Sequence, residues 1–228
     1  MDWIKNSLTS SLGKKLVMSM TGLFLIMFLI VHLVGNLQLL YDDGGEAFNI
    51  YAYFMTHNPM IKTVSYGLYF FILLHAVLGI VLWLQNRGAR PIKYAKATYP
   101  EASFASKRMA LLGILIFAFL MLHMGDFWYK MKFTDQLAMI TYDGYDYAVK
   151  DLYVRVDTAF QETWIVVVYV IGVLALAVHL WHGIDSAFQS IGWRHKKFGR
   201  IFKIFGASYT VIVCLGFAII PLYYLIFR

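Results

Sequence analysis

Apolar residues in this chain fall into long uninterrupted blocks instead of alternating with polar ones. The blocks lie at about 16–40, 62–86, 108–130, 163–188 and 204–227, and each exceeds the roughly 18 apolar residues that signal a membrane-crossing helix. Polar connections at 41–61, 87–107, 131–162 and 189–203 separate them, and Asn58-Pro59 and Arg90-Pro91 are turn signals at the two ends of the second block. Trp3, Tyr41, Tyr51, Trp83, Trp128, Trp164, Trp193, Tyr223 and Tyr224 crowd the block ends, as interfacial aromatic belts do. The pattern predicts an all-α integral membrane protein, with residues 1–228 forming one membrane domain of five transmembrane helices packed as a bundle.

Composition agrees with this. Hydrophobic residues make up 60% of the chain, charged residues 14%, and the mean hydropathy is +0.63; soluble domains are about 45–50% apolar and about 25% charged. The first block begins near Leu16 with no small-residue cleavage site, so it is expected to be a retained helix and not a signal peptide. A lone cysteine, Cys214, excludes an intrachain disulfide, a four-cysteine iron–sulfur site and covalent c-type haem attachment.

The net charge of +7 is an orientation signal in such a protein, not a nucleic-acid surface. Fourteen of the twenty Lys and Arg fall in the N-terminal segment and in the connections after the second and fourth blocks, while ten of the thirteen acids fall on the opposite side. This asymmetry predicts an N-terminus inside and a C-terminus outside. The 131–162 connection carries Tyr142, Tyr145, Asp146, Tyr147, Val149 and Tyr153 at helix-like spacing and is expected to form an outer surface helix or lid. Residues 1–15, with Trp3, Ile4 and Leu8 on one face, suit a short interfacial helix.

Four histidines stand inside four different apolar blocks: His32, His75, His123 and His179. A titratable ring in hydrocarbon is costly, so it is paired or functional. The first and third blocks run outward and the second and fourth inward, at about 1.5 Å per helical residue. His32 and His123 therefore share an outer level, and His75 and His179 an inner one. Two bis-histidine haems stacked across the bilayer need this arrangement. For any single histidine, the plainer alternative is a ring bonded to a neighbouring helix. His182 lies three residues after His179 and is an alternative ligand, whereas His57 and His195 lie in connections and are expected to be solvated.

Glycines repeat the pairing. Gly79 and Gly183 each follow an inner histidine by four residues, and Gly22 and Gly113 each precede an outer one by ten. Ten residues span about 15 Å of helix, which sets Gly22 and Gly113 near the inner level, where a flat macrocycle needs room. The plainer alternative is close helix–helix packing.

The stretches GLFLIMFLIVHLVGN, GGEAFNIYAYFM, LLHAVLGI, GILIFAFLMLH and YVIGVLALAVHLWHG, in this order, resemble the dihaem cytochrome b membrane anchor of succinate dehydrogenase and quinol:fumarate reductase, in its single-chain, five-helix form. The resemblance runs from about residue 16 to the end. It implies that His32 and His123 ligate an outer haem b and His75 and His179 an inner one. Bis-histidine ligation serves electron transfer, because no iron position stays open. It further implies a flavoprotein subunit that oxidises succinate and an iron–sulfur subunit, both docked on the basic inside face of an inner (cytoplasmic) membrane. The anchor's own contribution is to relay electrons to a quinone, most often menaquinone in dihaem relatives. Assembly of the whole complex into a higher oligomer is compatible with it.

Quinone reduction needs protons, and Glu46 and Asp126 are the acids expected near the outer haem. Some relatives carry a basic side chain after the fourth span that meets an inner haem propionate. This chain has SAFQSIGW there, leaving Ser19, Lys15, Lys107 and Arg108 as substitutes. Two other readings compete. A dihaem cytochrome b anchor of a hydrogenase or formate dehydrogenase is disfavoured by the histidine on the second span and by the GGEAFN loop. A cofactor-free transporter is disfavoured by the absence of an obvious inverted repeat.

Overall fold

A computed structural model describes residues 10–88, 104–193 and 199–228, with side chains from residue 108 onward in the second stretch. Trp3, Ile4 and Leu8, seven of the fourteen basic residues of the N-terminal segment and of the connections after the second and fourth spans (Lys5, Arg90, Lys93, Lys96, Arg194, Lys196, Lys197), His195 and the Lys107 side chain lie outside the described residues.

Helix α1 (Ser11–Leu37) starts where the Ser10 side chain accepts from the Gly13 amide at 3.0 Å, an N-cap for an otherwise orphaned donor. Residues 11–15, expected in an interfacial helix, instead form the first turn of this span. The chain then passes through helix α2 (Glu46–His57) to α3 (Pro59–Gly88) and α4 (Phe104–His123). A π-helical turn, Met124–Tyr129, and a last turn, Lys130–Phe133, extend α4. Strands β1 (Met139–Ile140) and β2 (Val149–Lys150) pair antiparallel and lead into α5 (Leu152–Gln161), then α6 (Thr163–Ser190) and α7 (Gly199–Phe227). Five of these stretches, Ser11–Leu40, Pro59–Gly88, Arg108–Phe133, Thr163–Ser190 and Gly199–Phe227, are long and apolar enough to cross a membrane.

Residues Tyr142 to Tyr147 form turns and not the helix expected from their spacing; the helix of this connection begins at Leu152. Asp151 caps this helix, its carboxylate accepting from the Val154 amide at 3.1 Å, and Asn49 completes the boundary. The Asn49 side chain, 1% exposed, accepts from the Leu152 and Tyr153 amides at 3.0 Å and donates to Tyr142 Oη (2.8 Å) and Asp151 Oδ1 (2.9 Å). One amide group from α2 thus adds to the cap of α5 and ties down the tyrosine-rich turn.

α1 packs on α3, α6 and α7, while α4 packs on α3 and α6, so α1 lies diagonal to α4 and α3 diagonal to α6. α7 sits outside this square against α6 and α1. Tyr209 Oη donates to the Ile26 carbonyl (2.6 Å) and Tyr224 Oη to the Leu39 carbonyl (2.8 Å), pinning α7 along α1. One core cluster, with Val173, Leu180, Ile184 and Val213, fills the α6–α7 seam. A second, with Phe48, Phe127, Tyr153, Phe160, Tyr169 and Tyr224, lies under α2 and α5 at one end of the bundle. α3 buries none of its residues.

Candidate functional site

Each diagonal carries one histidine pair. His32 on α1 faces His123 on α4 with ring centres 5.7 Å apart, and His75 on α3 faces His179 on α6 at 6.3 Å. Imidazole nitrogens bind first-row metals at about 2.0–2.1 Å, so with each ring centre about 1.2 Å behind its nitrogen, two rings on opposite sides of one metal stand about 6.4 Å apart. The inner pair meets that separation and the outer pair is slightly tighter. No cluster of three or more His, Cys, Asp or Glu exists among the described residues, so side chains alone do not encage a metal here. Two opposed imidazoles instead suit a ligand that brings its own equatorial nitrogens, which a porphyrin does.

Helix registers fix the depth of the pairs. A carbon added at Gly22 would lie 3.2 Å from the His75 ring, and one at Gly79 would lie 3.3 Å from Met18, so α1 and α3 run antiparallel with Gly22 level with His75. On the other side Gly172 abuts Phe119, while Tyr169 Oη lies 3.2 Å from His123 Nδ1. The same antiparallel register sets Gly113 level with His179. The inner level therefore crosses α1 at Gly22 and α4 at Gly113, each ten residues, or about 15 Å of rise, below the outer histidine of its own helix. Among the four glycines, Gly79 lies close against the flexible end of a methionine, whereas an added carbon at Gly113 or Gly183 meets nothing within 4 Å.

The second ring nitrogens show how the histidines are held. Thr21, 3% exposed, lies 3.1 Å from His75 Nδ1 and 3.0 Å from the Val17 and Met18 carbonyls. A hydroxyl has one proton. With that proton directed to the backbone, Thr21 accepts from His75 Nδ1–H and leaves Nε2 as the free lone pair, the tautomer that a metal ligand requires. Tyr169 Oη lies 3.2 Å from His123 Nδ1 with no second acceptor for its proton among the described residues, so this contact positions the ring without selecting its tautomer. At His32 the Asn36 amide nitrogen lies 3.3 Å from Nδ1 while it donates to the His32 carbonyl at 2.7 Å. As oriented it favours the opposite tautomer, so ligation through Nε2 there requires the amide to turn. His179 Nδ1 is buried with no hydrogen-bond partner among the described residues; such an orphan costs about 1–3 kcal/mol. His182 is half-buried, and its ring makes no contact with His75 among the described residues.

Thr21 and Tyr169 were not picked out by sequence reasoning. A threonine and a tyrosine inside apolar blocks are the available signal, but only the helix register shows that they reach histidines.

Of the residues expected near an inner propionate, Ser19 is buried and its hydroxyl donates to the Lys15 carbonyl at 2.9 Å, while Lys15 and Arg108 are exposed. At the outer end Asp126 lies in the π-helical turn directly after His123, bound by Lys130 Nζ at 2.7 Å and by the Arg155 guanidinium. Glu46 opens α2 and has no ion pair among the described residues. Nearby, burial pushes the Tyr142 hydroxyl above its ordinary value against the Asn49 hydrogen bond, and the carboxylates of Asp151, Asp43 and Glu46 act in the same direction as burial. Tyr142 thus stays neutral beside these acids.

No family model, curated protein or solved structure matches this chain.

Proposed function

We propose that this chain is the dihaem cytochrome b anchor of a succinate:quinone oxidoreductase in the cytoplasmic membrane, relaying electrons from an iron–sulfur subunit to menaquinone. The observation that carries the reading is the pair of opposed imidazoles on each bundle diagonal, at two levels, with centre separations near that of two axial ligands on one iron. A haem held this way supplies one-electron transfer with no open iron position. The chain's residues do the rest: His32 and His123 hold the outer group, His75 and His179 the inner one, and Thr21 and Tyr169 orient a ring in each pair. The exposed α3 agrees with this, because a macrocycle between α3 and α6 would cover the side on which the helix has no close partner.

The flavoprotein and iron–sulfur subunits dock on the basic inner side. At the outer side, Asp126 is bound by two cations, which makes Glu46 the better placed acid for delivering protons to the quinone.

A reduced-minus-oxidised spectrum of the purified chain with a haem assay is expected to give a b-type signal and two haems per chain. A colourless, folded preparation removes the reading. Copurification with a flavin-linked subunit separates a succinate-type complex from hydrogenase or formate dehydrogenase anchors. Thr21→Val keeps the side-chain shape and removes the hydroxyl that lies 3.1 Å from His75 Nδ1. Haem titration of the depleted protein is expected to show inner-site affinity about 10–100-fold weaker, with the outer site unchanged.

A further inference from the structure

We infer that Asp126, Lys130 and Arg155 form a charge triad that sets the reduction potential of the group held by the outer histidine pair. The inference rests on the haem reading proposed above. Asp126 Oδ1 receives both Lys130 Nζ, from the same helix, and the Arg155 guanidinium, from α5. The three side chains are 23%, 27% and 25% exposed, so water screens them only in part. Together they carry one net positive charge.

The triad lies one helical turn beyond His123, and the π-helical turn that holds Asp126 begins at the residue after that histidine. Such bulges are frequent where a helix serves a site. Arg155 Nε is buried and has no hydrogen-bond partner among the described residues, so its guanidinium is not fully used by the protein. A partly buried ion triad is a poor device for stability, because desolvation offsets its attraction. Near a redox centre the same charges have a direct effect. At an effective dielectric near 20, one unit charge about 10 Å away changes the ratio of oxidised to reduced forms roughly tenfold.

The sign is fixed by charge. Reduction adds an electron, so added positive charge favours the reduced form and raises the potential. Asp126→Asn takes the triad from +1 to +2 and is expected to raise the potential of one haem by roughly a tenfold shift in the ratio, equal to about 59 mV for one electron. Arg155→Gln takes the triad to zero and is expected to lower it by a similar amount, and Lys130→Gln provides a second neutralising variant should Arg155 prove essential for folding. Optical redox titration of the purified full chain reads both haems at once, and a His75→Ala background identifies the outer wave.

Opposite shifts for the acidic and basic substitutions, confined to the outer wave, support the inference. Unchanged or same-direction shifts with both haems retained overturn it and leave the haem reading standing. Absence of haem from the unsubstituted chain overturns both.

Discussion

Replacing His75 with alanine is expected to leave one haem of two, the outer one, in a chain that still folds. The His75 ring faces the His179 ring across its diagonal, with the Thr21 hydroxyl 3.1 Å from its Nδ1. Without it the inner group would have a single protein ligand. The outer pair belongs to two other helices and is not touched. A second readout is expected to change as well. α3 buries no residue of its own and is held by contacts such as Gly22 with His75, Met18 with Gly79, and the 2.8 Å bond from Trp128 Nε1 to Tyr69 Oη. Loss of the inner group should therefore raise amide exchange across α3 more than across α6 or α7. His182→Ala serves as the control and should lose neither haem. Retention of both haems in His75→Ala, or their joint loss from a folded chain, would contradict the assignment.

Gly45→Ala is expected to be the most damaging single change at the α2 and α5 end of the bundle, costing about 2–6 kcal/mol. Gly45 has φ +88°, a conformation that costs a residue with a side chain about 1–3 kcal/mol. A methyl group there would also be driven into the Tyr153 ring, which is 4% exposed and has little room to yield; overpacking of that kind costs about 1–3 kcal/mol. The strain falls at the start of α2, where the Asp43 carboxylate accepts from the Gly45 and Ala47 amides at 2.9 Å. Gly44→Ala is the internal comparison. Its φ is +65° but an added carbon meets nothing within 4 Å, so only the backbone cost applies. Thermal unfolding in detergent should rank Gly45→Ala well below Gly44→Ala, and equal midpoints would rule out the steric part of the argument.

The spans were legible because hydrocarbon imposes a long, simple code: 163–188 became Thr163–Ser190 and 62–86 became Pro59–Gly88. The pairing of histidines was legible for a related reason. Alternating span direction and a fixed rise per residue convert sequence position into depth, and the structure brings together the four rings expected to meet. The tyrosine-rich connection was not legible. Its residues repeat at helical spacing, yet the helix starts only after Asp151, which caps it, and Asn49, about a hundred positions earlier in the chain, satisfies the amides of Leu152 and Tyr153. The orienting partners of the rings were hidden for the same reason, since Tyr169 reaches His123 through a helix register that composition does not encode. The pairing of Asp126 with Arg155 was hidden too, because it depends on where α5 lies.

The diagonal arrangement bears on biogenesis. Ring partners come from the first and third spans and from the second and fourth, so the two pairs interleave along the chain instead of nesting. As spans enter the bilayer in order, the outward-lying pair becomes complete once the third has inserted, and the inward-lying pair must wait for the fourth. Truncated products that stop after two spans would hold an unmatched imidazole at each level, so uptake of a first pigment would report the third span and uptake of a second the fourth.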